Sequence, residues 1–212
     1  MKLIIKFVVL LVLHFSAGLA HAGAYEDMVR AIGTGDQGTV ANLLKKGLDV
    51  DSVDKEGESL LMLAAKEGNV NVIKTLLTAK PKIAMKNAFG ETAVMLAAIK
   101  GHLEVVKLLL AEGAQIDHIG WTPLMYAASM NRLDVMKLLM TRGAKIEAVN
   151  ATGLTALMLA AREGQAQAVL LLMEQGANVN QTTPNGVSAF RLAKQRGQDE
   201  VLRLLAKAGA KD

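Results

Sequence analysis

A chain of 212 residues, 51% of them apolar, with a formal net charge of +4, can bury a core, which excludes a disordered chain. Two of its basic residues, Lys2 and Lys6, fall in a leader, so the remainder is close to neutral; with only 3% aromatic residues it offers neither a phosphate-binding surface nor stacking platforms, and no nucleic acid is expected as a partner. Cysteine is absent, which removes disulfides, thiolate metal sites, a cysteine nucleophile and a lipid anchor on cysteine.

The first segment reads as a targeting signal. M-K-L-I-I-K carries two lysines, F-V-V-L-L-V-L (Phe7–Leu13) is a short apolar run, and Ala20-His21-Ala22 places small residues where a signal peptidase reads. This layout predicts a secretory signal peptide over residues 1–22, cleaved after Ala22. A membrane-spanning helix needs about 20 apolar residues, and His14, Ser16 and Gly18 interrupt the run too early. The small-x-small site without cysteine points to export into a bacterial periplasm, with no stable membrane insertion after cleavage.

After the leader the sequence repeats itself. Gly57, Gly90, Gly120, Gly153 and Gly186 each precede a similar block, at intervals of 33, 30, 33 and 33 residues. The blocks include G-E-S-L-L-M-L-A-A-K-E-G, G-E-T-A-V-M-L-A-A-I-K-G, G-W-T-P-L-M-Y-A-A-S-M-N and G-L-T-A-L-M-L-A-A-R-E-G. A fixed period in this range marks a stacked repeat array. Ser59, Thr92, Thr122, Thr155 and Ser188 are side-chain acceptors suited to capping a helix start. Pro123 fits a first helical turn. Paired alanines such as Ala64-Ala65 and Ala127-Ala128 favour a helix and let neighbours approach closely. Gly68, Gly101, Gly164 and Gly197, with Asn131 in the remaining copy, suit left-handed helix exits. A second apolar block, such as V-V-K-L-L-L, predicts a second helix in each unit. One unit cannot bury its own apolar face, so neighbours must stack.

These blocks resemble the ankyrin repeat. Gly120–Ala128, G-W-T-P-L-M-Y-A-A, is similar to that family's G-x-T-P-L-H-x-A-A core, with Met125 in place of the histidine. The resemblance covers nearly all of the chain after the leader. It implies an all-α fold, an ankyrin-repeat solenoid of stacked helix-turn-helix units joined by short β-hairpin-like fingers. The expected repeats are about 24–56, 57–89, 90–119, 120–152, 153–185 and 186–212, within one ankyrin domain over 23–212. The first and last are degenerate, and Arg191 and Lys194 give the last copy a polar outer face. The family implies a concave protein-binding face lined by fingers and inner helices.

Two departures carry information. Lys80-Pro81 stands where other copies have Gly-Ala, and a following proline is expected to push Lys80 towards extended backbone. The 30-residue interval reflects three residues missing from the finger G-A-Q-I-D-H-I-G between Gly113 and Gly120.

The residues offer little for catalysis. His118 beside Asp117 could bind a metal or transfer a proton, but no third ligand lies at usable spacing, so a solvated loop histidine is expected. No glycine-rich phosphate loop or nucleophile elbow occurs. No enzyme activity, no metal and no cofactor are expected. Met62, Met95, Met125 and Met158 recur with the repeat. They read as core packing, with methionine-based copper or oxidant handling in the periplasm as the alternative function. Methionine cannot donate the hydrogen bond of the family's histidine, so looser coupling between turns is expected.

The stronger functional signal is apolar residues where other copies are polar. Phe89 aligns with Glu56, Thr152 and Asn185; Ile99 with Lys66, Ser129 and Arg162; Trp121 with Glu58 and Glu91; Met130 with Glu67, Lys100 and Glu163. Ile119 ends the shortened finger, beside His118. Tyr126 is left out because it aligns with the apolar Leu63, Leu96 and Leu159. Phe89, Ile99, His118, Ile119, Trp121 and Met130 are therefore the candidate partner-binding residues, on the concave face of the third and fourth repeats. The alternative is that Trp121 and Phe89 merely cover the gap in the short finger. The function expected is that of a monomeric periplasmic scaffold, inhibitor or stabiliser of another protein.

Overall fold

The computed structural model describes residues 23–211. The expected signal peptide over 1–22 lies outside the described residues. Among those described, no helix is long and apolar enough to cross a membrane. The chain divides into two compact units, one ending at Lys82 and the other beginning at Ile83.

The first unit holds α1 (23–34), α2 (Gln37–Lys45), α3 (Leu60–Glu67) and α4 (Val70–Thr78). Met28, Ala31 and Ile32 of α1 are buried, so the degenerate first copy still contributes core. Asp36 caps α2 by accepting from the Thr39 N–H at 3.0 Å, and its carboxyl is held below the usual range by the Thr39 hydroxyl and N–H. Helix α4 packs against α2 and α3.

The second unit holds four helix pairs: α5 (Ala93–Lys100) with α6 (Leu103–Ala111), α7 (Pro123–Ser129) with α8 (Leu133–Thr141), α9 (Ala156–Arg162) with α10 (Ala166–Glu174), and α11 (Ala189–Gln195) with α12 (Asp199–Lys207). The first helix of each pair packs on the first helix of the next, α5 on α7, α7 on α9 and α9 on α11. Helix α9, packed between α7 and α11, is buried without a break from Ala156 to Ala161, as a helix with a repeat on either side should be. At the end of the array, Arg191 and Lys194 are exposed, as an outer face requires.

Within the second unit, side chains placed by the repeat stitch neighbouring helix pairs together. Arg132, Gln165 and Gln198, each preceding a second helix, donate to the carbonyls of Ile99, Ser129 and Arg162 in the preceding pair, at 3.0, 3.2 and 3.4 Å. The exit glycine lies beneath this crossing. Gly101 has φ 85°, and a Cβ there would meet Arg132 Cδ at 2.8 Å. Glycine is thus needed there both for its backbone and for the close approach.

The fingers are tight turns headed by a polar side chain. Asp54, Asn87, Asn150 and Thr183 each donate their N–H to the carbonyl four residues on, at 3.0–3.1 Å, and their side-chain oxygens accept backbone N–H groups within the turn. Apart from the isolated bridges Val53–Ser59 and Thr182–Ser188, the fingers form no β-structure among the described residues.

One expectation is corrected. Lys80 is not extended: its φ is 54°, in the same left-handed region as Gly47, Gly113, Gly143, Gly176 and Gly209. The helix exit keeps its shape because the Lys80 N–H must still reach the Leu77 carbonyl, at 3.0 Å, and Pro81 must occupy the buried place that alanine takes elsewhere. The methionines also do more than fill space. Sδ of Met62 and of Met95 accepts the N–H of its own capping residue, Ser59 and Thr92, at 3.5 and 3.4 Å. The sulfur thus meets one donor at the start of its own helix.

Candidate functional site

The site grows from the turn Asn87–Glu91 in the second unit. Asn87 Oδ1 accepts the N–H of Phe89 and of Glu91, at 3.0 and 2.9 Å, and its Nδ2 donates to Glu91 Oε2 at 2.9 Å. Gly90, at φ 77°, supplies the left-handed residue the turn needs. The turn holds the Glu91 carboxylate in place and displays Phe89, which is 76% exposed. Phe89 therefore does not cover the gap in the short finger.

The next repeat reaches back to the same carboxylate. Tyr126 on α7 donates its hydroxyl to Glu91 Oε1 at 2.8 Å. Burial, and then this bond to a carboxylate, push the Tyr126 phenol well above its usual range, so it stays a neutral donor. Trp121 lies against Tyr126, ring centroids 4.9 Å apart and planes tilted by 37°. Tyr126, left out of the candidate residues, thus links Trp121 to Glu91. Alignment with leucine marks a position facing the neighbouring repeat, but a tyrosine there also needs a partner for its hydroxyl, and Glu91 provides it.

Ile99 lies half-buried in the last turn of α5, and Met130 follows α7 as its 46%-exposed cap residue, so both sit on adjoining helices. The short finger is arranged differently. The missing residues are the ones that would hold the polar turn head, equivalent to Asn150-Ala151-Thr152. Asp117 accepts the Lys145 N–H at 3.1 Å, as Glu147 does from the Asn178 N–H at 2.8 Å, so it is a repeat-to-repeat tie. His118 is not a solvated loop residue as expected: it is half-buried, with Nδ1 2.7 Å from the Ile119 carbonyl oxygen and Nε2 3.4 Å from Met95 Sδ. Asp117 and His118 thus engage different partners instead of forming a pair. Ile119 is fully exposed.

The structure therefore joins Trp121, Tyr126 and Glu91 by direct contact and places Phe89 on the Glu91 turn. It holds His118 and Ile119 on the short finger. The repeated methionines are sealed in the core at 0–1% exposure, where neither an ion nor an oxidant reaches sulfur without opening the fold. Among the described residues, no three His, Asp or Glu side chains gather as a metal-sized cluster.

A family model described as ankyrin repeats matches the chain in three overlapping copies, over residues 28–117, 77–150 and 142–212. The chain belongs to the ankyrin repeat family. This ankyrin protein is also similar to a chain of the solved complex of the Bd0816 predatory endopeptidase from Bdellovibrio bacteriovorus with immunity protein Bd3460. The identity is 30%, the TM-score is 0.76, and the match covers 85% of this chain and 97% of that one. No curated protein matches it. Within the ankyrin pattern, its distinguishing features are methionine in place of the core histidine, one shortened finger, and an aromatic cluster on a carboxylate beside that finger.

Proposed function

We propose that this chain is an exported ankyrin-repeat inhibitor that acts in a bacterial periplasm by holding an endopeptidase in a reversible complex, without chemistry of its own. The observation that carries this reading is the similarity to a chain of a complex between an endopeptidase and an immunity protein, because it covers 97% of that chain at 30% identity. The leader supports the compartment: Lys2 and Lys6, the apolar run Phe7–Leu13 and Ala20-His21-Ala22 follow the layout of a cleaved export signal. Exposed Phe89, Ile119 and Met130 support the surface, since large apolar and aromatic residues open to solvent suit a protein hot spot.

The test is capture from periplasmic extract on immobilised chain lacking residues 1–22. The wild type is expected to retain an endopeptidase. The double variant Phe89→Ala and Trp121→Ala is expected to weaken retention by about tenfold or more, with an unchanged helical spectrum. Equal retention by the variant would show that the partner docks elsewhere; capture of no peptidase would remove the reading.

A further inference from the structure

Glu91 has a counterpart whose surroundings differ in one decisive way. Glu58 occupies the same place one repeat earlier, and its carboxylate pairs with Lys66 Nζ at 2.8 Å. The residue equivalent to Lys66 in the Glu91 repeat is Ile99. The partners of the two Glu91 oxygens are neutral donors, the Tyr126 hydroxyl and the Asn87 amide. The third repeat thus keeps the carboxylate and loses its internal counter-charge.

Aromatic side chains have accumulated around this carboxylate. The sequence contains one Trp, two Tyr and four Phe. The Trp is in ring contact with the Tyr that donates to Glu91, and one Phe stands two residues before Glu91 on the same turn. A half-buried carboxylate among aromatic faces is the chemistry that takes a cation, through charge on one side and the ring quadrupole on the other. Each Glu91 oxygen already accepts one hydrogen bond, from Tyr126 or Asn87. A carboxylate offers about four acceptor positions, so one remains on each oxygen. One free position on each of two oxygens suits the fork of a guanidinium better than the single point charge of an ammonium, and a guanidinium also stacks flat on an aromatic ring.

We propose that Glu91, framed by Phe89, Trp121 and Tyr126, is the receptor for an arginine side chain of the bound protein. Its two free acceptor positions take the guanidinium fork, and Trp121 takes its face. Ile99, in place of the lysine that would neutralise the site from within, keeps it open. This deepens the binding reading given above and rests on it only in that the arginine belongs to a partner protein.

Trp121 is the single tryptophan of the chain, so its fluorescence reports on this site alone. The full chain is titrated with the capped peptide acetyl-Gly-Arg-Gly-amide and with its citrulline counterpart, which keeps the shape and loses the charge. The arginine peptide is expected to change the Trp121 emission saturably, with a Kd of roughly 1 mM, and at least about tenfold more tightly than the citrulline peptide. Glu91→Gln should remove most of that difference. Ile99→Lys should do the same by rebuilding the ion pair that Glu58 and Lys66 already make, with an unchanged helical spectrum. Equal responses to the two peptides, unchanged binding in both variants, or no saturation by roughly 10 mM would overturn the proposal. No peptidase is present in this titration, so a failure here is separate from a failure of the capture experiment.

Discussion

Lys80 holds a left-handed backbone that the other helix exits of its kind assign to glycine. A residue with a Cβ is disfavoured there by roughly 1–2 kcal/mol, while glycine adds some entropy cost of its own. Lys80→Gly is therefore expected to stabilise the chain by about 1 kcal/mol, read as a higher urea midpoint with an unchanged slope. The sequence pointed the other way because the rule for residues before proline is local, whereas the exit geometry is set by the bond to the Leu77 carbonyl and the burial of Pro81. Tyr126 teaches the same lesson. Its place among aligned leucines was legible; its hydroxyl's partner lay in the preceding repeat, at a separation no local pattern reveals. Its raised folded value means that the neutral phenol is favoured in the fold. The stabilisation is complete below the ordinary tyrosine range and is lost as pH rises through the folded value. In a Tyr25→Phe background, the alkaline absorbance titration should show Tyr126 ionising above a free tyrosine, and Glu91→Gln should bring it back down. Ionisation at the free-tyrosine pH in the unsubstituted site would contradict the Tyr126–Glu91 bond.

At the scale of elements, most of the architecture could be read in advance. Capping Ser and Thr, paired alanines and exit glycines recur at fixed spacing, and each carries a local physical reason. Ser59, Thr122, Thr155 and Ser188 cap as their type predicts. Thr92 does not: its hydroxyl is buried without a partner, while the Met95 sulfur closes the same turn. What spacing could not show is which glycines lie under a neighbour. Gly101 and Gly113 have nearly the same φ, 85° and 89°, yet only Gly101 sits beneath another repeat's side chain. Gly113→Ala should cost about 1–2 kcal/mol, from its backbone alone. Gly101→Ala should cost more, because Arg132 must also shift and its bond to the Ile99 carbonyl is worth about 1 kcal/mol. Equal unfolding midpoints for the two variants would show that this stitch adds nothing. The short finger was visible as a gap in the period, but the anchoring of His118 on Met95 was not, since methionine in place of the family's histidine gives no hint of a new histidine arriving from a finger.

For the whole molecule, period and motif identify the ankyrin family, but they name no partner, because one architecture binds unrelated proteins. The surface that distinguishes this chain arises where it departs from its own repeat: a carboxylate without its lysine, aromatic residues where acids stand elsewhere, and a shortened finger ending in a fully exposed isoleucine. Those departures were legible as misfits in the alignment. The link from Trp121 through Tyr126 to Glu91 was not, because it depends on which side chains meet across neighbouring repeats. The claim that joins these features is that the chain restrains an endopeptidase by covering it. The direct measurement is the activity of the captured endopeptidase, titrated with the chain lacking residues 1–22 and with the Phe89→Ala, Trp121→Ala variant. The expected result is activity falling to near zero at one equivalent of the wild type, with about tenfold more of the variant needed. Undiminished peptidase activity at saturating wild type would contradict the inhibitor reading.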